Sequence, residues 1–230
     1  MTTIRNNLQS VRQRIEAACA AARRPVNEVT LLAVSKTFGP DAVREAADAG
    51  QRAFGENYIQ EAVEKIALLG ALPLQWHCIG PIQSNKTRLV AANFQWAQTV
   101  DRLKIAQRLA EQRAEGLPEL NVCIQVNIDG GPSKSGVAPQ DALALARDVA
   151  QLPRLKLRGL MTIPEPQPDF AAQLAVHQKA RRLFDQLREA GLAIDTLSMG
   201  MTADLEAAIH AGSTMVRVGT AIFGGRAPKA

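Results

Sequence analysis

The feature that most constrains the fold of this chain is an alternation of short apolar runs with amphipathic stretches of helical length, repeated eight times after a first helix. Such alternation indicates a parallel sheet covered by helices. The predicted strands cover 29–35, 53–55, 75–79, 94–100, 120–126, 157–163, 197–201 and 215–223. Eight units in about 200 residues favour a closed barrel. The sequence therefore predicts an α/β fold: a single (β/α)8 TIM barrel domain over residues 1–230, with an extra N-terminal helix. An open sheet is the alternative, although no G-x-G-x-x-G motif follows the first strand.

Composition and charge argue against several classes of function. The net charge is +5, but the Lys and Arg residues are scattered and mixed with Asp and Glu. Aromatic residues make up only 4% of the chain, which leaves few groups for stacking on bases. We therefore expect no nucleic-acid partner. No apolar stretch reaches the ~18 residues of a membrane span, and no signal peptide precedes the first helix, so no membrane association is expected.

The cysteines and the other metal-binding residue types predict neither a disulfide framework nor a metal site. Cys19, Cys78 and Cys123 are odd in number and far apart, and no C-x-x-C motif occurs. No grouping of His, Asp, Glu and Cys has the spacing of metal ligands. This cysteine usage fits a reducing, cytoplasmic location.

The candidate functional residues are those at strand ends, because barrels of this type collect their active groups at the carboxyl ends of the strands. These candidates are Lys36, Asn57, His77, Asn127, Thr162, Ser198 and the stretch 217–220. Lys36 closes the first strand, where partial desolvation would free its neutral amine to attack a carbonyl. From position alone, a surface lysine is an equal alternative. Schiff-base lysines in barrels belong mainly to pyridoxal 5′-phosphate (PLP) proteins and to class I aldolases.

The eighth predicted strand favours a phosphate-bearing ligand. Gly219 would let the backbone approach a ligand closely, and Thr220 offers a hydroxyl and an amide. With Ser198, these residues make a phosphate site where barrels commonly place one. A tight strand-to-helix turn capped by Thr220 is the alternative.

Several motifs, taken together, resemble the pyridoxal phosphate homeostasis protein family, which is related to the N-terminal barrel of bacterial alanine racemases. The motifs are Val-Ser-Lys at 34–36, Phe-Gly-Glu-Asn at 54–57, the long run at 76–86, Ser-Lys-Ser-Gly at 133–136, Arg-Gly-Leu-Met at 158–161, Leu-Ser-Met-Gly-Met at 197–201 and the run at 215–224. The resemblance covers nearly the whole chain, in order and with compatible spacing.

The resemblance implies that this chain holds PLP as a Schiff base on Lys36. It implies that Ser198, Gly219 and Thr220 hold the phosphate, with the Met199 backbone nearby. Two further positions are implied to lie at the ring: Arg217, which faces the pyridine nitrogen, and Asn57. A guanidinium can only donate hydrogen bonds, so the ring nitrogen would stay unprotonated and the ring would be a poorer electron sink.

The resemblance also separates a carrier from an enzyme. Alanine racemases draw a catalytic tyrosine from a second domain of the partner subunit. This chain ends shortly after the eighth strand, and its only tyrosine, Tyr58, is predicted on the helix after strand two. We therefore expect a PLP storage or delivery protein in vitamin B6 homeostasis, with no catalytic residue. A weak PLP-dependent racemase and a cofactor-free Schiff-base aldolase remain alternatives.

Partners and secondary residues carry weaker expectations. Apo PLP-dependent enzymes are the expected acceptors of PLP, and the chain is expected to be a monomer. His77 is either a ligand contact or a structural residue. Lys86 and Lys134 lie in loops, where Lys134 is either a secondary site for PLP transfer or a solvated lysine.

Overall fold

The computed structural model describes residues 3–131 and 135–225, and within them it forms one closed barrel. The strands are β1 (Thr30–Val34), β2 (Ala53–Glu56), β3 (Gln75–Cys78), β4 (Trp96–Val100), β5 (Leu120–Val126), β6 (Leu155–Thr162), β7 (Thr196–Ser198) and β8 (Met215–Val218). The helices are α1 (Ile4–Ala21), α2 (Pro40–Asp48), α3 (Ile59–Leu68), α4 (Thr87–Asn93), α5 (Leu103–Gln112), α6 (Ala142–Ala150), α7 (Phe170–Glu189), α8 (Leu205–His210) and α9 (Thr220–Phe223). Turns of 3-10 helix at Val26–Glu28, Ser84–Lys86 and Pro139–Asp141 precede β1, α4 and α6.

The strands follow one another around the barrel in chain order, all parallel, and β8 pairs with β1 to close it. The register at the closure places Leu32 beside Arg217 and Ala33 beside Val218. All eight carboxyl ends therefore face the same mouth. This confirms the predicted (β/α)8 barrel.

The core has two layers, as the alternation of side chains along each strand requires. Outward-facing side chains such as Ala33 and Phe54 pack under the helices. Inward-facing side chains fill the barrel in two small apolar clusters. One contains Leu32, Val34, Ala53, Ile79 and Met215, and the other contains Trp96, Cys123 and Met161. Polar side chains occupy the interior between these clusters, a point taken up below.

The N-terminal helix α1 is an addition to the eight repeats. Its apolar stripe, including Leu8, Val11 and Ile15, is buried, and the helix packs on α2, α8 and α9. The Arg14 guanidinium also grips Glu206 of α8 with two hydrogen bonds of 2.8 and 3.0 Å. The helix thereby supports the part of the barrel wall that carries β7 and β8.

The last two strands are shorter than predicted. Strand β7 ends at Ser198 because Gly200 adopts a positive φ of +93°, and a Cβ at this position would overlap Ala208 of α8. Strand β8 ends at Val218, and the residues after Gly219 form the short helix α9 instead of continuing the strand to residue 223. Both corrections turn predicted strand into loop or helix end at the barrel mouth.

Three general properties bear on the class of protein. No helix within the described ranges is both long and apolar enough to cross a membrane. The same residues contain no group of three or more His, Cys, Asp or Glu side chains placed to hold a metal ion. All three cysteines are free thiols and buried.

Candidate functional site

A cleft of about 300 Å³ opens at the carboxyl ends of the strands, on the side formed by β1, β7 and β8. This volume lies at the lower end of the range for small-molecule sites, roughly 300–1,000 Å³. Among the residues that line it are Lys36, Asn57, Arg217, Gly219, Thr220 and the loop residues Met201, Thr202 and Ala203. The resemblance assigns seven residues to PLP binding, and the structure brings five of them to one cleft. The other two are Ser198 and Met199.

Lys36 projects from a tight turn that is held from behind. Thr37, the next residue, has a φ of +69°, which is uncommon for a residue with a branched side chain. The turn is fixed by a hydrogen bond of 3.1 Å from the Phe38 amide to the Ser35 carbonyl. The Thr37 amide donates to a carboxylate oxygen of Glu61 at 3.2 Å. These contacts hold the backbone on both sides of Lys36, so the position of its Cα is set by the fold.

Asn57 follows β2 and carries an unsatisfied polar atom. Its Oδ1 is buried and has no hydrogen-bond partner among the described residues. A buried acceptor without a partner is costly unless a ligand or water supplies a donor. Gly80 fixes the backbone here, because a Cβ on Gly80 would overlap the Asn57 carbonyl oxygen. The unsatisfied oxygen on a fixed backbone marks this wall of the cleft as a place where a ligand donor would bind.

Arg217 supplies the positive charge of the cleft. It comes from β8, is only 4% exposed, and donates from Nη1 to the Ser198 hydroxyl and from Nη2 to the Thr162 carbonyl, both at 2.8 Å. Burial lowers the pKa of Arg217 to about 10, so the guanidinium remains protonated at neutral pH. Two of its five N–H groups are used in these bonds, and Arg217 is among the residues that line the cleft.

Ser198 and Met199 are placed differently from the other predicted residues. Both are fully buried, and neither is among the described residues that line the cleft. The Ser198 hydroxyl lies in the barrel interior, where it donates to Gln98 at 2.7 Å and accepts from Arg217. The geometry links Ser198 to the site through Arg217. Direct contact of Ser198 or Met199 with a phosphate stays a prediction.

The far end of the cleft is made of backbone. Gly219 precedes the first turn of α9, and the first amides of a helix have no partner within that helix. A Cβ on Gly219 would lie 3.2 Å from the Val34 carbonyl, so glycine lets the end of β8 pack closely against the end of β1. The loop Met201–Ala203, which follows the neighbouring strand β7, also lines the cleft. Sequence reasoning missed this loop because it assigned Met201 to a strand. Gly200, which lies two residues after the end of β7, is the sequence signal that could have indicated this loop.

The remaining strand-end candidates do not line the cleft. His77 lies inside the barrel on β3 and is fully buried. Asn127 donates from Nδ2 to the Gly131 carbonyl at 3.0 Å. Lys86 ends the 3-10 turn before α4. Lys134 lies outside the described residues. His77 is thus a structural residue of the interior, the second of its two predicted roles.

The fold and the cleft together define the class of the protein: a parallel barrel of the alanine racemase N-terminal type, with a lysine after β1 and an arginine on β8. The family profile described as "Alanine racemase, N-terminal domain" matches residues 4–227. A solved alanine racemase from Clostridium difficile 630 superposes with a TM-score of 0.70 at 15% identity, over 95% of this chain and 57% of that chain. At this identity the likeness shows the fold alone.

Relatives of higher identity define the family more narrowly. The Pyridoxal phosphate homeostasis protein of Pseudomonas aeruginosa is 60% identical over 226 residues, which cover 98% of this chain and 97% of that protein. The protein of the same name from Escherichia coli K12 is 54% identical over 229 residues. The structure of PipY from Synechococcus elongatus PCC7942 with PLP bound has a TM-score of 0.84 at 37% identity, over 96% of this chain and all of that one. The chain belongs to the pyridoxal phosphate homeostasis protein family.

Proposed function

We propose that this chain binds PLP in the cleft, covalently through the Lys36 amine, and takes part in PLP homeostasis by storing or delivering the cofactor. One observation carries the proposal: Lys36, Arg217 and the backbone at Gly219 and Thr220 converge on a single cleft of about 300 Å³. An amine, a fixed cation and exposed amide groups are the three features that an aldehyde-bearing pyridine phosphate requires.

The residues present fit PLP. Lys36 would hold the aldehyde carbon, and the amides at Gly219 and Thr220, with the neighbouring loop Met201–Ala203, would hold the phosphate. Arg217 would face the ring, since it lines the cleft and retains N–H groups beyond those bonded to Ser198 and Thr162. The net charge of +5 also favours an anionic ligand.

When bound, PLP would supply an electron sink for chemistry on amines. The chain's own residues limit this use. Arg217 is a permanent hydrogen-bond donor, so it would pair with the ring nitrogen only when that nitrogen is unprotonated. Tyr58, the only tyrosine, lies just before α3 with 48% of its surface exposed and does not line the cleft. These features support a carrier over an efficient racemase.

A spectral titration with PLP tests the binding proposal. We expect wild-type protein to develop a visible absorbance band, and borohydride reduction followed by peptide mapping to place the label on Lys36. Lys36→Ala should lack the band, and Lys104→Ala, which removes an exposed lysine on α5, should keep it. Wild-type protein that stays colourless would overturn the proposal and favour the cofactor-free aldolase.

Delivery and turnover need separate measurements. A carrier should transfer PLP to an apo PLP-dependent enzyme and restore its activity, while Lys36→Ala should not. Exchange of the α-proton of amino acids in deuterium oxide should stay near the rate with free PLP. Rapid exchange that depends on Lys36 would favour the alternative, a weak PLP-dependent racemase.

Location and assembly complete the proposal. Three buried thiols, none of them in a disulfide, support a reducing, cytoplasmic location. We also propose that the chain is a monomer. Sedimentation at micromolar concentration would test this, and a dimer would contradict it.

A further inference from the structure

The barrel interior beneath the cleft contains a line of polar side chains where apolar packing is usual. His77, Gln98, Ser198 and Arg217 are each at most 4% exposed. They come from β3, β4, β7 and β8, so the line crosses the barrel from one wall to the other. Only Arg217 lines the cleft. The other three need a role that ligand contact does not provide.

The four side chains form one continuous chain of hydrogen bonds. Arg217 Nη1 donates to Ser198 Oγ at 2.8 Å, and Ser198 Oγ donates to Gln98 Oε1 at 2.7 Å. Gln98 Nε2 lies 2.9 Å from His77 Nδ1 and donates to it. It also donates to the Met215 sulfur at 3.1 Å. Each bond thus leaves the next group with only one orientation.

The chain is anchored at its far end. His77 Nε2 lies 3.1 Å from the Gln75 side-chain oxygen, to which it donates. The His77 ring stacks on the Trp96 ring, with 5.0 Å between the centroids. The Arg158 guanidinium lies over the Trp96 ring, 4.7 Å from its centroid. Burial, with a smaller contribution from Arg158, lowers the pKa of His77 to about 3, so its Nδ1 stays an acceptor at neutral pH.

Buried polar groups are costly unless they are paired, and each of these four side chains is hydrogen-bonded to the next. Arg217 bears a buried charge, yet both of its hydrogen bonds within the described residues go to uncharged oxygen atoms. Such bonds hold the guanidinium only if the acceptors are themselves fixed. The Thr162 carbonyl is fixed by the backbone, whereas the Ser198 hydroxyl is fixed by Gln98.

We propose that Gln98 and His77 are positioning residues for Arg217: through Ser198 they fix the plane of the guanidinium and so direct its remaining N–H groups into the cleft. The part of this inference that concerns PLP affinity rests on the proposed function, whereas the part that concerns the geometry of Arg217 does not. Neither residue touches the ligand in this proposal.

A matched pair of variants at His77 separates hydrogen bonding from packing. His77→Phe keeps an aromatic ring on Trp96 but removes the acceptor for Gln98. His77→Asn removes the ring but keeps an acceptor at the position of Nδ1. Gln98→Leu breaks the line of hydrogen bonds at its centre, and Met161→Ala makes a cavity in the same interior without removing any of its hydrogen-bonding groups. Thermal unfolding of each variant reports its loss of stability.

Two measurements are made on each variant. The first is the 15N–1H signal of Arg217 Nε–H in protein without PLP. We expect it to be slowly exchanging in wild type, His77→Asn and Met161→Ala, and broadened or fast-exchanging in His77→Phe and Gln98→Leu. The second is PLP affinity, which should fall about tenfold in His77→Phe and Gln98→Leu, the loss expected for one hydrogen bond to a charged group.

The outcomes distinguish this inference from the proposed function. If His77→Phe behaves like wild type while His77→Asn loses affinity, packing controls the site and the positioning role is wrong. If the affinity of all variants simply follows their stability, including Met161→Ala, the role is also wrong. If the Arg217 signals differ as expected but wild type binds no PLP, the positioning stands and the proposed function fails.

Discussion

Glu56 and Lys65 form an ion pair with 2.7 Å between Oε1 and Nζ, and both side chains are almost completely buried. The pair lies directly behind the turn that presents Lys36. The Ser35 hydroxyl donates to the same Glu56 oxygen, and Lys65 Nζ donates to the Ser35 carbonyl at 3.1 Å. A buried ion pair that does not line the cleft therefore holds the residue before Lys36.

Lys65→Met should destabilise the fold by about 3 kcal/mol or more, because removal of one partner leaves a buried carboxylate uncompensated. Burial already raises the pKa of Glu56, although Lys65 acts in the opposite direction. The double variant Glu56→Leu/Lys65→Met should recover most of the loss, since a buried pair replaced by apolar groups is often neutral. Urea denaturation at pH 7 measures both values, with Lys104→Met as an exposed control. A loss below about 0.5 kcal/mol in Lys65→Met would contradict this reading.

Gly80→Ala should displace Asn57, because a Cβ at residue 80 would overlap the Asn57 carbonyl oxygen. Overpacking of this kind costs about 1–3 kcal/mol. We also expect weaker PLP binding, since Asn57 lines the cleft. Gly116→Ala is the matched control, because a Cβ there would meet nothing within 4 Å. Equal unfolding free energies and equal PLP affinities for the two variants would show that Gly80 does not fix the position of Asn57.

The burial of His77 predicts a pH dependence of stability. The pKa of His77 is lowered from 6.5 to about 3, chiefly by burial, so the unfolded chain binds a proton at a higher pH than the folded one. His77 should therefore cost no stability above pH 6.5. As pH falls from 6.5 towards 3, stability should fall by about 1.4 kcal/mol per unit. Between pH 6.5 and 5 this amounts to about 2 kcal/mol.

The difference between wild type and His77→Asn isolates this effect from the carboxyl groups, because both proteins share them. The unfolding free energy of wild type should drop more steeply than that of His77→Asn between pH 6.5 and 5, as measured by urea denaturation at each pH. Parallel slopes would mean that His77 is not buried in its neutral form.

The barrel could be predicted from the sequence because strand alternation is a local signal. Strand β5 has the predicted bounds, Leu120–Val126, where Val122, Ile124 and Val126 alternate with Cys123 and Gln125. The predicted end of β8 at residue 223 was wrong. The run after Gly219 is apolar, and a short apolar run can form either a helix or a strand, so its composition did not decide between them. The pairing of β8 with β1 limits the strand to Val218, and this depends on tertiary contact.

Only those site residues that lie at or near strand ends could be predicted from the sequence. Lys36, Asn57 and Arg217 stand at or near strand ends and line the cleft. The direction in which Ser198 points depends on Gln98, which lies 100 residues earlier in the chain. Gln98 itself gave no signal, because a single glutamine inside a strand looks like any solvent-facing residue. Such pairings form only when the barrel closes, so they could not be predicted from a single sequence.

Asp204 should control preference for the phosphate, because it holds the loop Met201–Ala203, which lines the cleft together with Gly219. Its Oδ1 accepts from the Met201 amide at 2.7 Å, and its Oδ2 lies 2.9 Å from His177 Nε2. These hydrogen bonds lower the pKa of Asp204 although burial acts to raise it, so the side chain is ionised and the bonds are charge-assisted at neutral pH. Asp204→Ala would release the Met201 amide and let the loop Met201–Ala203 move away from the cleft.

We expect Asp204→Ala to weaken PLP binding about tenfold and to leave the binding of pyridoxal, which has no phosphate, nearly unchanged. Comparison of the two ligands in one variant removes any general loss of folded protein from the result. Asp185→Ala is the control, since Asp185 forms its ion pair with Arg181 along α7, away from the cleft. Equal weakening of PLP and pyridoxal would show that the loop does not bind the phosphate, and the phosphate would then have to bind elsewhere in the cleft.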